Sequence, residues 1–459
     1  MKMRLSDCAK AVQGQLVGDD IEFTSVSIDT RAINPGQLYV AIKGHQFDGN
    51  AFVGLAEQAG AIAAIVHHGV ATALPHIIVD DTRLALAQLA GAWRLALAAR
   101  ADNALSVVGV TGSNGKTTVK EMVAAILAVD VPVLFTQGNL NNDIGVPLTL
   151  LRLQEQYRYA VIEMGANHAR EIAYTSQFAK ADVVIITNAG AAHIEGFGSV
   201  EGVAKAKGEI IETLRPDGTA IINRDDGYYD YWRGVAGDRQ CVSFGLHAEA
   251  EVRAAAITTE IRDHAFATAF QLTSAQGTVD IRLKVAGQHN VTNALAATAA
   301  CLALGLDLAT VKQGLENVKP VTGRLQPLVG RLGNIVIDDT YNANSDSLKA
   351  GLEVLVSLPG KPWLVLGAFG ELGPDSRRIH EEIGYLIKAC GVERLLAVGE
   401  DTRLTVQAFG LGATFFDQQE DLITVLNQEL KGDETILIKG SRSQRMENVA
   451  AAVVENFRK

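Results

Sequence analysis

The stretch Val107-Val108-Gly109-Val110-Thr111-Gly112-Ser113-Asn114-Gly115-Lys116-Thr117-Thr118 passes from apolar, strand-type residues through a glycine-rich turn into a helical segment. Backbone N–H groups of such a turn converge on an anion, the helix that starts near Lys116 adds its positive dipole end, and the lysine supplies a point charge. Thr117 is placed to put a hydroxyl on Mg2+. The spacing departs from G-x-x-x-x-G-K-[ST], because Val110 and not glycine stands five before Gly115. The form here is T-G-x-x-G-K-T-T, and its strand-before, helix-after context reads as a nucleoside-triphosphate loop rather than a bare strand-to-helix turn.

Outward from the loop, residues 105–319 repeat that rhythm. Strands at 107–110, 159–163, 183–187 and 219–223 alternate with helical patterns, which predicts a mostly parallel sheet covered on both faces. Residues 265–273 and 278–285, joined around Ala275-Gln276-Gly277, break the rhythm and read as an antiparallel hairpin attached to that sheet. Before it, short strands at 23–28, 38–42, 63–66 and 77–79 with a helix near 52–60 form a small α/β unit. Asp81-Thr82 caps the next helix, 83–100, which links the two. After Pro320, strands at 335–338, 363–366, 395–398 and 435–438 form a second doubly wound, Rossmann-like unit without a phosphate fingerprint. The expected fold class is therefore α/β in three domains, 1–83, 84–320 and 321–459, in keeping with a length of 459 residues.

Composition narrows the function. A formal charge of −11 argues against sequence-independent nucleic-acid binding, which needs lysine and arginine to displace counterions. The N-terminal residues lack the apolar core of a signal peptide. The longest apolar stretch, 294–306, is interrupted by Thr298 and is too short for a membrane span, so it reads as a buried helix. Cys8, Cys241, Cys301 and Cys390 are far apart with no C-x-x-C pair, which indicates neither a zinc site nor a disulfide framework. A cytoplasmic enzyme is expected.

Several residues are candidates for chemistry. Glu163 ends an apolar strand, where ligands of parallel sheets gather, and reads either as a Mg2+ ligand or as a solvated strand-end carboxylate. His193 lies in the small-residue loop after the 183–187 strand and could ligate a second metal or simply face solvent. In the following helix Val200, Val203, Ala204, Ile211 and Leu214 share one face, and Glu201, Lys205, Glu209 and Glu212 the other. Lys207 falls on the apolar face, where an ammonium must be partnered, chemically altered or reaching along its stem to water. Asn290 and Asn293 face the same way at a helix start and suit an adenine edge, although Asn290 also reads as an N-cap. Arg324 could reach phosphate charge if the third domain closes over the second, and Asp339 could accept from ribose hydroxyls or cap a helix. Lys439-Gly440-Ser441-Arg442-Ser443 could hold a carboxylate or be a solvated turn.

Taken in order, the phosphate loop, Glu163, His193, Lys207, the segment His289 to Asn293, Gly323-Arg324 and Asp339 resemble the Mur ligases over the whole chain. The runs Gly138-Asn139-Leu140-Asn141-Asn142-Asp143-Ile144-Gly145-Val146-Pro147, Met164-Gly165-Ala166-Asn167-His168, Asp339-Thr340-Tyr341-Asn342-Ala343-Asn344 and 439–443 are similar to members that act on UDP-N-acetylmuramoyl-tripeptide and D-alanyl-D-alanine. The resemblance implies that ATP phosphorylates the peptide carboxylate and that the amine of the incoming dipeptide displaces phosphate. It implies that Thr111, Gly112, Ser113, Asn114, Gly115, Lys116, Thr117 and Thr118 hold ATP phosphates, with Asn290 and Asn293 on adenine, Arg324 on phosphate and Asp339 on ribose. Two Mg2+ ions would be held by Thr117, Glu163, His193 and Lys207, the last as a carbamylated lysine. Ser27, Asp29, Thr30, Arg31, Lys43, Gly44, Phe47 and Asp48 would hold the uridine nucleotide, and Asn139, Asn141 and Asn142 the muramoyl-peptide. The third domain would bind the dipeptide, and the chain would act as a monomer. One departure stands out: Gly367-Ala368-Phe369-Gly370-Glu371-Leu372-Gly373 occurs where relatives carry an aspartate-methionine-alanine run before glutamate-leucine. A folylpolyglutamate synthetase-like ligase shares the chemistry, and a non-catalytic ATP-binding regulator shares the loop. The small unit before the phosphate loop speaks against the first, and the Glu163, His193 and Lys207 set against the second.

Overall fold

In the computed structural model, which describes residues 1–44, 46–99, 105–190, 194–262 and 265–455, the phosphate-loop strand Ser106–Thr111 is interior to a nine-stranded sheet. The parallel strands run in the order Val133–Phe135, Tyr159–Glu163, Ser106–Thr111, Val183–Ile186, Thr219–Asn223, Gln240–Gly245 and Val252–Arg262. Val183–Ile186 and Thr219–Asn223 are buried along their whole length, as expected of strands covered on both faces. The helix Gln288–Ala303, which contains most of the 294–306 apolar stretch, supplies one cover and is buried through most of its length. No helix among the described residues is long and apolar enough to cross a membrane.

The antiparallel hairpin is Ala265–Ser274 with Gly277–Leu283, at the sheet edge. Its partner Val252–Arg262 was not anticipated, because the alternation that marks it is broken by a register shift between Ala255 and Thr258. From the hairpin, Phe266 is buried in the core of the third domain among Leu325, Leu348 and Leu352. The edge thereby joins two domains.

The N-terminal domain holds a five-stranded sheet in which Ser25–Ser27, Gln37–Val40, Ala63–Val66 and His76–Ile78 run parallel. The linking helix, Thr82–Ala98, begins where the Asp81 carboxylate accepts from the backbone N–H groups of Arg83 and Leu84. Leu86, Leu89 and Trp93 share one apolar core with Leu150 and Leu153 of the central domain. At about 2 kcal/mol for each fully buried large side chain, this helix is packing rather than tether. Arg94 reinforces it by donating to the Lys180 carbonyl at 2.9 Å and to the Asp182 carboxylate at 3.1 Å.

The third domain has a six-stranded sheet in the order Gln326–Val329, Ile335–Asp339, Glu434–Lys439, Lys361–Gly367, Arg394–Val398 and Ala413–Phe416. Only the first of these is antiparallel to its neighbour. The two edge strands escaped the sequence reading, being short and carrying Pro327 or mixed polarity.

Candidate functional site

The phosphate loop leaves the C-terminal end of Ser106–Thr111, and the helix Lys116–Leu127 starts at Gly115, whose φ is +81°. Glycine is needed twice over, since a Cβ there would lie 2.4 Å from the Asn293 Oδ1. No side chain caps the helix, so its first N–H groups are left to a ligand. Asn114 fixes the loop apex: its N–H donates to Asn188 Oδ1 at 2.9 Å, and its carbonyl accepts from Thr187 Oγ1 at 2.6 Å. Thr111 is fully buried and donates to the Met164 carbonyl at 2.8 Å, so it supports the loop from beneath.

The Lys116 ammonium folds back onto its own loop, donating to the carbonyls of Gly112 at 2.6 Å and Ser113 at 3.1 Å. Burial lowers its pKa, opposed by the nearby Glu163 carboxylate. Glu163 is 2% exposed; its Oε1 accepts from Asn141 Nδ2 at 2.9 Å, while Oε2 is buried without a hydrogen bond. A carboxylate oxygen left open in this way beside the phosphate loop fits a divalent cation, the group that a nucleotide phosphate chain brings with it.

Lys120 and Thr136 are neighbours of Glu163 that the sequence reading missed. Lys120 is almost fully buried, donates to the Thr136 carbonyl at 2.8 Å and approaches Glu163 Oε2 to 4.0 Å. Thr136 Oγ1 in turn accepts from the Glu163 N–H at 3.0 Å. The signal was present, since Lys120 is one helical turn beyond Lys116 and so shares its face.

From the third domain, Arg324 donates to Thr117 Oγ1 at 3.0 Å and its guanidinium stacks on the Tyr341 ring at 4.2 Å. Asn344 Nδ2 donates to Asn114 Oδ1 at 2.8 Å, a second link between the domains. The Asp339 carboxylate is held by Lys439 at 2.5 Å and by the Leu325 N–H at 3.2 Å. Ser113, Asn114, Gly115, Lys116, Thr117, Asn141, Asn142, Glu163, Arg324 and Asp339 thus line one cavity of about 580 Å3, closed on its far side by Gly370 to Leu372 and Lys439. A second cavity behind the loop is lined by Thr118, Asn290, Asn293 and again Arg324 and Asp339. Asn139 lines neither.

Two expectations for side chains need correction. Asn290 is not an N-cap: the cap residue is Gly287, and Asn290 instead donates to the Ala286 carbonyl at 2.7 Å and accepts from Asn293 Nδ2 at 3.1 Å. Glu209, assigned to the polar face, is 4% exposed, because its carboxylate accepts from the N–H groups of Arg170 and Ala173 at the start of the helix Glu171–Ala179. Lys207 is 2% exposed on the helix Val200–Glu212, with its ammonium 5.5 Å from the Phe197 ring centre. Burial first, and the Lys116 charge second, push its pKa down to about 7. His193 lies outside the described residues.

The nucleotide candidates of the N-terminal domain form a separate group. Ser27 to Arg31 and Lys43 to Asp48 follow adjacent parallel strands, so both segments leave the same edge of that sheet. Asp29 pairs with Arg31 at 2.7 Å, which holds its carboxyl well below the usual range. Asp48 accepts from His67 at 2.8 Å. The Lys43 carbonyl accepts from Arg83, which also binds Asp143 at 2.9 Å and so ties this edge to the Gly138 to Pro147 segment. Phe47 is 69% exposed, Gly44 donates to the Phe47 carbonyl, and Thr30 begins a short 3-10 turn.

An uncapped phosphate loop, an open carboxylate oxygen and cations brought from a second sheet define an ATP-dependent enzyme of the P-loop type. Family models agree: the Mur ligase middle domain matches residues 110–301, the Mur ligase glutamate ligase domain 323–442, and the Mur ligase family catalytic domain 22–94. The chain is 43% identical to UDP-N-acetylmuramoyl-tripeptide–D-alanyl-D-alanine ligase of Escherichia coli, covering 99% of each. It superposes on MurF from Acinetobacter baumannii with a TM-score of 0.92 at 36% identity over 98% of both chains. On MurF ligase from Thermotoga maritima in complex with ADP the TM-score is 0.83 at 27% identity, covering 93% of this chain and 96% of that one. The chain belongs to the Mur ligase family, near its MurF branch.

Proposed function

We propose that this protein is an ATP-dependent ligase that joins D-alanyl-D-alanine to UDP-N-acetylmuramoyl-tripeptide in peptidoglycan precursor synthesis. The observation that carries the reading is the shared cavity: the phosphate loop and Glu163 on one wall, Arg324, Lys439 and the Gly370 to Leu372 segment on the other. A carboxylate does not react with an amine at useful rates. Transfer of the γ-phosphoryl group from ATP to a carboxylate oxygen, with ADP leaving, makes an acyl phosphate. The dipeptide amine then attacks the acyl carbon, and phosphate departs with the original carboxylate oxygen.

In this reading Lys116 moves from its own carbonyls to the β- and γ-phosphates, and Arg324 adds charge from the third domain. Asn290 and Asn293 face adenine, and Asp339 a ribose hydroxyl. Thr117 and Glu163 would hold Mg2+, which when bound neutralises the phosphate charge. Asn141 holds the Glu163 carboxylate, Lys120 faces it, and Thr136 holds the Glu163 backbone meanwhile. The N-terminal sheet edge, with Ser27 to Arg31 and Lys43 to Asp48, holds the uridine nucleotide, and Asn139 to Asn142 approach the muramoyl-peptide.

Lys207 is proposed to be carbamylated. A buried amine with a pKa near 7 has a neutral fraction free to attack CO2, and the product is an anion suited to a second metal, with His193 as a further ligand. The expected signature is a carbamate resonance from 13C-labelled CO2 that is lost in Lys207→Ala, together with loss of activity. Full activity of that variant without an added carboxylate refutes the role. For the reaction itself, ADP release is measured over a panel of nucleotide-peptides and dipeptides. ADP should form only when a UDP-muramoyl-tripeptide and D-alanyl-D-alanine are both present, and no ADP with both would overturn the assignment.

A further inference from the structure

The segment Gly367 to Gly373 supplies part of the cavity wall through Gly370, Glu371 and Leu372. The Phe369 side chain does not line the cavity. Phe369 is 4% exposed within the third-domain core, with its ring centre 5.9 Å from the ring of His380. Glu371, two residues on, has a φ of +60°, a left-handed conformation that a non-glycine residue keeps only where its surroundings over-determine the backbone.

Two anchors hold the segment just before it, on either side of one peptide bond. The Ala368 carbonyl accepts from Ser441 Oγ at 2.8 Å and from the Ser441 N–H at 3.3 Å. The Phe369 N–H donates to His380 Nε2 at 3.1 Å. An N–H can donate only to an unprotonated ring nitrogen, so the proton of His380 is on Nδ1, which donates to the Ser376 carbonyl at 2.8 Å. His380 is itself fully buried, its carbonyl held by Thr405 Oγ1 at 2.8 Å, and Ser376 Oγ is fixed by the Asp401 carboxylate at 2.6 Å. The imidazole is thus a rigid acceptor with one task among the described contacts.

We propose that His380 is a positioning residue for the incoming dipeptide: by accepting the Phe369 N–H it sets the backbone of Gly370 to Leu372 as the amine-side wall of the cavity. The inference rests on the ligase reading given above. It assigns a specific function to a residue that touches no reacting atom.

Steady-state kinetics of the full-length enzyme test it with two variants of like polarity. In His380→Gln the side-chain oxygen reaches the Nε2 position and can accept from Phe369; in His380→Asn it stops near the Nδ1 position. The Asn variant should raise KM for D-alanyl-D-alanine about tenfold or more, with KM for ATP and for the nucleotide-peptide within about twofold, since a wall set loosely loses alignment of one reactant only. The Gln variant should return to within about threefold of the parent. Hydrogen exchange at the Phe369 amide should be faster in the Asn variant than in Gln. Equal kinetic constants for Asn and Gln, or an equal rise in all three KM values, would overturn the proposal. If the parent enzyme makes no product from the dipeptide, the ligase reading falls; if it does and the two variants do not differ, only the role of His380 falls.

Discussion

The central and third domains solve the same local problem in opposite ways. Each has an interior strand, Ser106–Thr111 or Ile335–Asp339, that leads through a turn to a helix facing the shared cavity. In the central domain the helix starts at Gly115 in the left-handed region with no side-chain cap, and the loop's own cation, Lys116, rests on its own loop carbonyls. In the third domain the helix Ser345–Ser357 is closed by a capping box, Asn344 with Ser347, and the acidic strand end is neutralised by Lys439. One helix end is left open for an anion, and the other is satisfied from within. Two doubly wound sheets therefore differ in function through a glycine against an asparagine at the helix start.

Removing the mobile charge from the open end should have the largest effect. Lys116→Met is expected to lower ADP formation by about a thousandfold or more, because the ammonium is the loop's point charge on the transferred phosphoryl group. Its thermal midpoint should stay close to that of the parent, since the ammonium's hydrogen bonds among the described residues go to carbonyls of its own loop. The closed end should respond in stability as well. Asp339→Asn leaves the buried Lys439 ammonium without its counter-charge, held by the Asn342 carbonyl, and should cost about 3 kcal/mol in denaturant unfolding.

Gly115→Ala probes the backbone of the open end alone. A methyl group 2.4 Å from Asn293 Oδ1, on a residue at φ +81°, must displace either the loop or the adenine-side helix. Calorimetric titration with ATP should show affinity weakened by about tenfold or more, the scale of a 1.4 kcal/mol loss. The smallest effect belongs to the cap. Asn344→Ala should destabilise the chain by about 1 kcal/mol, and should also loosen the link to Asn114 that joins the two domains. An Asn344→Ala variant as inactive as Lys116→Met would mean that the two helix starts are not so different after all.

Much of this contrast was legible in the sequence, because it is local. The phosphate loop, its strand and its helix follow from residues 107–118, and the strands Tyr159–Glu163 and Thr219–Asn223 have the bounds that their apolar runs indicate. Lys207 was readable as an anomaly, since a charge on an apolar face is visible in a helical pattern. Glu209 was not, because the two N–H groups that accommodate its carboxylate come from a helix nearly forty residues earlier in the chain, Arg170 being 39 away. The Lys439 partnership with Asp339 spans 100 residues and that of Arg324 with Thr117 spans 207, so no spacing rule could announce them. Asn290 read both as an adenine-side residue and as a cap because asparagine suits both tasks; the position of Gly287 removes the cap reading.

The central claim is that this cavity transfers a phosphoryl group to a carboxylate before an amide forms. Its most direct test uses UDP-muramoyl-tripeptide carrying 18O in the reacting carboxylate, turned over with ATP and D-alanyl-D-alanine, with the released phosphate read by mass spectrometry. One 18O atom should appear in phosphate for each amide formed. Amide formation with unlabelled phosphate would contradict the account.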